Sequence, residues 1–196
     1  MTDSDSELML RFAGGDDDAF RQLAARHQRP LVNFFYRLTR DRFTAEDYTQ
    51  EVFARIIRAK ARYRRMAKFR TWMYRIAKNY WIDRCRERAA APNMGSLSTP
   101  IREDEGGSRT LADTVEGESP RPADEVRRQE IGKAIKAAVS RLPEEQRLVF
   151  VLSENQGMKY AEISEVMEIP VGTVKSRMHA AVRRLRELLK DVYDGA

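Results

Sequence analysis

The stretch "AAPNMGSLSTPIREDEGGSRTLADTVEGESPRPA", residues 90–123, constrains this chain more than any other. Gly, Ser, Pro and acidic residues dominate it, and large apolar side chains are few. Such a segment cannot bury enough surface to offset the entropy of ordering it, so it reads as a flexible linker. What is left is one piece on each side, and neither is long enough for more than a small core. In both pieces apolar residues recur at helical spacing, strand-like alternation is missing, and β-branched residues form no runs. The expected fold is all-α: two small helical domains, 1–90 and 124–196, joined by a flexible acidic linker over 91–123. Helices are expected at 5–13, 16–27, 29–39, 44–61, 69–88, 124–141, 143–155, 160–168 and 173–190. Asp16–Asp18 and Thr44 supply N-cap chemistry, and Pro143 followed by "EEQ" is a proline-led start with acids in the first turn. No internal repeat is present.

Several classes of function are excluded early. Of the 196 residues 34% are charged, and no apolar run approaches the roughly 18 residues of a membrane span. The start "MTDSDSELML" is acidic, unlike a secretory signal, so a cytoplasmic protein without membrane insertion is expected. Cys85 is alone, which rules out an internal disulfide and a cysteine-rich zinc site; it reads as a small helical residue. His27 and His179 sit in no metal-ligand spacing, and P-loop, nucleophile-elbow and HExxH motifs are absent. No catalytic residue, metal or cofactor is therefore expected.

Charge is distributed in blocks. The chain carries +6 overall, but Arg55 to Arg88 has thirteen Lys/Arg against Asp83 and Glu87, a local +11. Val171 to Lys190 nets +5, and Ile101 to Glu125 between them nets −5. Two basic blocks on a tether suggest two polyanion-binding surfaces. Solvated helix faces are the plainer alternative.

The second basic block has a helix-turn-helix rhythm. A short helix turning Ile163, Val166 and Met167 inward leads into "IPVG", where Pro170 disfavours helix at Ile169. Thr173 then caps a second helix with Val174, Met178, Ala181, Val182 and Leu185 inward. Lys175, Ser176 and His179 are left on its outward face, flanked by Arg177, Arg183 and Arg184. A recognition helix presents such N-terminal side chains to base edges and its basic flanks to phosphates. The turn departs from the commonest pattern, which has Gly where Glu168 stands.

"RLPEEQRLVFVLSENQGMKYAEISEVMEIPVGTVKSRMHAAVRRLRELL" resembles region 4 of bacterial sigma factors of the extracytoplasmic-function group. The resemblance implies binding of the −35 promoter element and of the flap of the polymerase β subunit. It implies that Thr173, Lys175, Ser176, Arg177 and His179 face −35 DNA, with Arg183 on a phosphate.

The first half is similar to region 2 of the same family. "AEDYTQEVFARII" looks like region 2.2, with Tyr48 and Thr49 in place of the usual apolar pair. Helical spacing buries Tyr48, Val52, Phe53, Ile56 and Ile57, and leaves Asp47, Gln50, Glu51 and Ala54 as an acidic and polar stripe. DNA would repel it, so a protein partner fits better. The resemblance supplies one, the coiled coil of the β′ subunit of core RNA polymerase, with Asp47, Gln50 and Glu51 as the contacts.

"RTWMYRIAKNYWIDRCRER", residues 70–88, resembles regions 2.3 and 2.4, and "RYRRMAKF" before it the loop that cups a flipped base. Arg75, Asn79, Asp83 and Arg86 share one helix face. The resemblance implies −10 recognition and melting: amide and carboxylate groups read an extruded base, an aromatic wall accepts it, and cations hold the phosphates. Arg64, Arg65, Lys68, Arg75, Asn79, Trp81, Asp83 and Arg86 are the expected −10 residues. Trp72 and Tyr74 fit the core and Tyr80 and Trp81 the DNA side, although periodicity does not assign them. The resemblance also implies an anti-sigma partner, and a linker that threads the polymerase cleft. A stand-alone helix-turn-helix regulator is the alternative, but it leaves the 47–51 stripe and the 62–88 constellation without a purpose. An enzyme acting on nucleic acid would need more carboxylates than this basic surface offers.

Overall fold

A computed structural model describes residues 4–64, 67–90 and 122–190, with side chains from 130 onward in the last span. Among the described residues there is no strand. The expected linker at 91–123 lies almost wholly outside them.

The first unit is a bundle of α1 (Ser4–Ala13), α2 (Asp17–Thr39), α3 (Arg42–Ala59) and α4 (Phe69–Ala90), with a 3-10 turn at Lys60–Arg62. Asp16 caps α2 as expected, its carboxylate accepting from the Ala19 N–H at 3.1 Å. For α3 the cap is Asp41, which accepts from the Thr44 N–H at 2.9 Å, so Thr44 lies in the first turn instead of capping it. The two helices expected at 16–27 and 29–39 are one. Leu23, His27, Leu31, Phe34, Phe35 and Leu38 form a buried face that runs through Pro30, and keeping that face intact outweighs the missing proline N–H. Aromatic rings knit α2, α3 and α4 edge to face: Phe34 on Tyr74 at 5.3 Å, and Phe35 on Tyr48 at 5.5 Å and Tyr80 at 6.5 Å.

The second unit is α5 (Pro122–Ser140), α6 (Glu144–Phe150) running into a π-helical turn at Val151–Asn155, α7 (Tyr160–Met167) and α8 (Val171–Leu188). Its core is Leu148, Val149, Val151, Leu152, Ile163, Val166, Val174, Met178 and Ala181. Gly157 has φ of 60°, the left-handed turn that ends the π segment and lets Met158 N–H return to the Leu152 carbonyl at 3.1 Å. α8 begins two residues earlier than the spacing suggests. Pro170, at φ of −58°, precedes it, and the Thr173 N–H bonds the Pro170 carbonyl at 2.9 Å, so Thr173 is a first-turn residue and not the cap. The two units are packed together, α7 against α4 and α5 against α2.

Candidate nucleic-acid interface

On α3, Asp47 and Gln50 are exposed, as the stripe reading expects. Glu51 is half-buried and already engaged: Arg55 Nε donates to it at 3.0 Å and Arg58 Nη2 at 2.6 Å. Those hydrogen bonds hold its carboxyl below the usual range despite partial burial. The buried side is corrected at one position. Ile57 is 43% exposed, and Thr49 lies inside instead, its hydroxyl donating to the Ala45 carbonyl at 2.8 Å.

The loop before α4 is anchored by a residue that the sequence reading missed. The hydroxyl oxygen of Ser6, buried on α1, accepts from Tyr63 Oη and from the Phe69 N–H, both at 3.1 Å. One short side chain thus fixes both ends of the 63–69 loop. The only sequence signal is a small polar residue between the apolar positions of an amphipathic helix, which is too common to single out. Next to it Asp5 links α1 to α2 through Arg26 at 2.7 Å and His27 at 2.8 Å. Burial would raise the Asp5 carboxyl, but these partners outweigh it and hold the pKa below the ordinary value.

Along α4, Asn79 and Arg86 are exposed, while Arg75 and Asp83 are half-buried. Asp83 stands 3.9 Å from Arg55 of α3. Arg64 is exposed, its guanidinium donating to the Ala61 and Tyr63 carbonyls at 3.1 and 3.0 Å. Lys68 is exposed and ion-paired with Glu162 of α7 at 2.8 Å. Arg65 lies outside the described residues. Cys85 is half-buried beside Arg88 and near Glu144, and burial pushes its thiol up, which makes it a poor nucleophile.

The aromatic assignment is corrected. Trp81, expected on the DNA side, is 2% exposed, packed on Tyr48 at 6.4 Å and covered by the guanidiniums of Arg88 at 5.0 Å and Arg147 at 5.4 Å. Tyr80 is buried too, against Tyr48 at 5.0 Å. The reason is the buried rear of α4, where Met73, Ala77, Tyr80 and Trp81 close the bundle together. Trp72, expected in the core, is the half-exposed indole, edge to face with Tyr63 at 5.0 Å beside the anchored loop.

In the second unit α8 buries Val174, Met178, Ala181 and Leu185 as the spacing predicts, with Val182 half-buried. Lys175, Ser176, His179 and Arg183 are exposed together on its outer side. Ser176 donates to the Thr173 carbonyl at 3.0 Å, and Thr173 is half-buried. Arg177 does not share that outer face. It turns back onto α6, where it pairs with Glu145 at 2.5 Å.

Two helical units, one with an aromatic-backed cationic helix and one with a helix-turn-helix, define a promoter-reading factor of the sigma-70 type. The Sigma-70 region 2 family model matches residues 23–91, and the Sigma-70 region 4 model matches residues 132–185. The RNA polymerase sigma-H factor of Pseudomonas aeruginosa is 32% identical over 188 residues, covering 96% of this chain and 95% of its own. The ECF RNA polymerase sigma factor SigW of Bacillus subtilis is 33% identical over 178 residues, covering 91% and 92%. The chain belongs to the ECF RNA polymerase sigma factors. Two solved structures share the fold. CnrH, solved with the cytosolic domain of CnrY, has a TM-score of 0.69 at 24% identity, covering 96% of this chain and 99% of that one. RpoE of Bartonella quintana, solved with the anti-sigma factor NepR, has a TM-score of 0.65 at 22% identity, covering 87% and 96%. No described helix is long and apolar enough to cross a membrane.

Proposed function

We propose that this sigma factor binds core RNA polymerase through Asp47 and Gln50 of α3, with Glu51 positioned by Arg55 and Arg58. It reads the −35 element with Lys175, Ser176 and His179, and Arg183 contacts a phosphate. It captures the melted −10 strand with Asn79, Asp83 and Arg86 and with the 63–69 loop that Ser6 anchors. The half-buried indole beside that loop, Trp72, is the stacking surface for the extruded base. The observation that carries the reading is the two-sidedness of α4: its rear is buried aromatic and its front is amide, carboxylate and cation. A duplex-only reader has no use for a carboxylate on that front, because duplex phosphates repel it. A protein that melts DNA without a nucleotide must bind the separated strand better than the duplex, and base-edge groups beside a stacking ring do that.

The chain acts in the cytoplasm, where polymerase and promoter are, and it catalyses no reaction itself. Residues 1–90 form the polymerase-binding and −10 domain and 124–196 the −35 domain, with 91–123 as the tether between them. An anti-sigma protein is its physiological antagonist. The test is fluorescence-polarisation binding of a labelled promoter fork, built from genomic fragments that the holoenzyme selects. Fork binding that requires core polymerase supports the reading. Tight, sequence-specific binding of duplex by the chain alone, unchanged by core, refutes it.

A further inference from the structure

One edge of α4, the side carrying Arg70, Tyr74, Arg75 and Lys78, is covered by the helix-turn-helix unit, while Asn79 and Arg86 beside it stay exposed. Among the described residues the hydrogen bonds across the contact run from donors on the first unit to acceptors on the second, while the Arg147 guanidinium of α6 lies over Trp81. Lys68 pairs with Glu162 at 2.8 Å. Arg70 donates to the Gln156 carbonyl, and Tyr74 Oη donates to Gln156 Oε1 at 2.5 Å. Arg75 donates to the Glu165 carbonyl through Nη2 at 2.9 Å and Nε at 3.2 Å. Glu162 is well placed for this, since its other oxygen accepts from the Lys159 N–H at 3.1 Å and so fixes the start of α7.

Glu168 is the informative residue. It ends α7 at φ of 59°, in the left-handed conformation where glycine is the ordinary occupant because a Cβ is crowded there. The turn itself has no need of an acid. Its carboxylate instead crosses to the other unit, reaching Lys78 Nζ at 3.1 Å and Arg75 Nε at 3.9 Å. Lys78 is only 5% exposed, so its ammonium is held against this one carboxylate and largely removed from water. Two cations converging on one anionic oxygen pair is also the arrangement that grips a phosphodiester.

We propose that Arg75 and Lys78 form a binding site for a phosphate of the melted promoter strand, and that Glu168 occupies this site as an internal anion, so that the −35-reading unit covers this phosphate-binding edge of the −10-reading face until the two units part. This rests on the sigma-factor reading above and adds the regulation of its strand-binding face. The opposite edge of the contact explains why closure depends on α7. There α5 packs on α2, and burial, with the positive charges of Arg37 and Arg40 adding to it, lowers the Lys136 pKa, so that its ammonium is less favoured at this edge than in water. The pairs with Glu162 and Glu168 offset it. DNA, presenting the same kind of oxygen as Glu168, competes for Arg75 and Lys78 and favours the open form.

Glu168→Gly tests this in the full chain. Glycine suits the left-handed position, so the helix-turn-helix keeps its fold and only the cross-unit carboxylate is lost. Zero-length carbodiimide cross-linking followed by mass spectrometry reads closure directly as the yield of the Lys68–Glu162 cross-link. Fluorescence anisotropy with a labelled −10 single strand reads access to the face. The cross-link is expected to fall and strand affinity to rise, each by about 3- to 10-fold, with a larger change for Glu168→Lys. Adding Lys78→Gln to Glu168→Gly should reverse the gain in strand affinity. Unchanged cross-linking and affinity in Glu168→Gly overturn the proposal, as does a lost cross-link with no gain in strand affinity. A lost cross-link in a chain that, wild-type or variant, never brings core polymerase to a promoter refutes the sigma-factor reading itself, and with it the promoter strand as ligand.

Discussion

Replacing Ser6 by alanine should be far more damaging than a serine-to-alanine change on a helix usually is. Ser6, Tyr63 and Phe69 are 1%, 3% and 1% exposed, and the serine oxygen accepts from both the Tyr63 hydroxyl and the Phe69 N–H. Without it the Tyr63 hydroxyl and the Phe69 N–H both lose this buried acceptor. The space released by one oxygen is too small to admit a water, so each donor bears a desolvation cost of about 1–3 kcal/mol. Ser6→Ala should therefore destabilise the first unit by about 2–6 kcal/mol. Tyr63→Phe alone should cost about 1 kcal/mol, since it removes donor and bond together. In the double variant no stranded hydroxyl remains, and the loss should be smaller than the sum of the singles by about 1 kcal/mol. Urea unfolding followed by tryptophan fluorescence is the assay, with Trp72 against Tyr63 as the local reporter. Below the transition, affinity of the holoenzyme for a promoter fork should also drop, because the 63–69 loop has lost both anchors. A Ser6→Ala variant within about 0.5 kcal/mol of wild type, or strict additivity with Tyr63→Phe, would show that the two hydrogen bonds do not hold the loop.

Further outcomes follow from the same geometry. Trp81→Phe should cost under about 1.5 kcal/mol and leave fork affinity unchanged, because the buried indole N–H has no partner to lose, while Trp81→Ala should cost about 3–5 kcal/mol by thermal unfolding. Trp72→Ala should instead weaken fork binding by about 1–3 kcal/mol in fluorescence polarisation. The Asp5 carboxyl has its pKa lowered by Arg26 and His27, so the stability it contributes is present above its ordinary value of 3.8 and lost as pH falls through the lower folded-state value. Asp5→Asn should flatten the fall in thermal stability at that acid end of the pH profile and lower stability at pH 7. Arg183→Ala should weaken −35 binding similarly across sequences and reduce the salt slope by about one, whereas Lys175→Ala should change sequence preference, as read by fork competition.

The spacing of apolar residues made much of this architecture legible. It located α1, α3, α4, α7 and α8 within a few residues and identified the inward row Val174, Met178, Ala181 and Leu185 of the recognition helix. It failed where a longer-range choice overrode the local signal. Two helices are expected at 16–27 and 29–39, but the buried face from Leu23 to Leu38 runs through the expected gap and through Pro30. Thr44 and Thr173 read as caps, but Asp41 and Pro170 stand at those positions. Tyr74 lies in the core as read, but Trp72 on one side and Tyr80 and Trp81 on the other are interchanged between surface and core, because α4 is apolar over so much of its circumference that periodicity cannot choose a face. Arg177 reads as a flank of the outward face that the resemblance turns toward −35 DNA, until Glu145, on another helix, draws it back. Ser6 and Glu168 were beyond reach for one shared reason: each acts on residues more than fifty positions away. The sequence does mark Glu168 as an unusual choice for its turn, and the ion pairs with α4 supply the reason.

The central claim is that this chain gives core RNA polymerase the ability to melt a promoter at its −10 element. Permanganate reactivity of −10 thymines on a duplex promoter, with the chain and core polymerase together and each alone, tests it most directly. The account predicts reactive thymines only when both are present, and a strong loss with Asn79→Ala. Thymines that stay unreactive although chain and core are bound at the promoter, or that react with the chain alone, would contradict it.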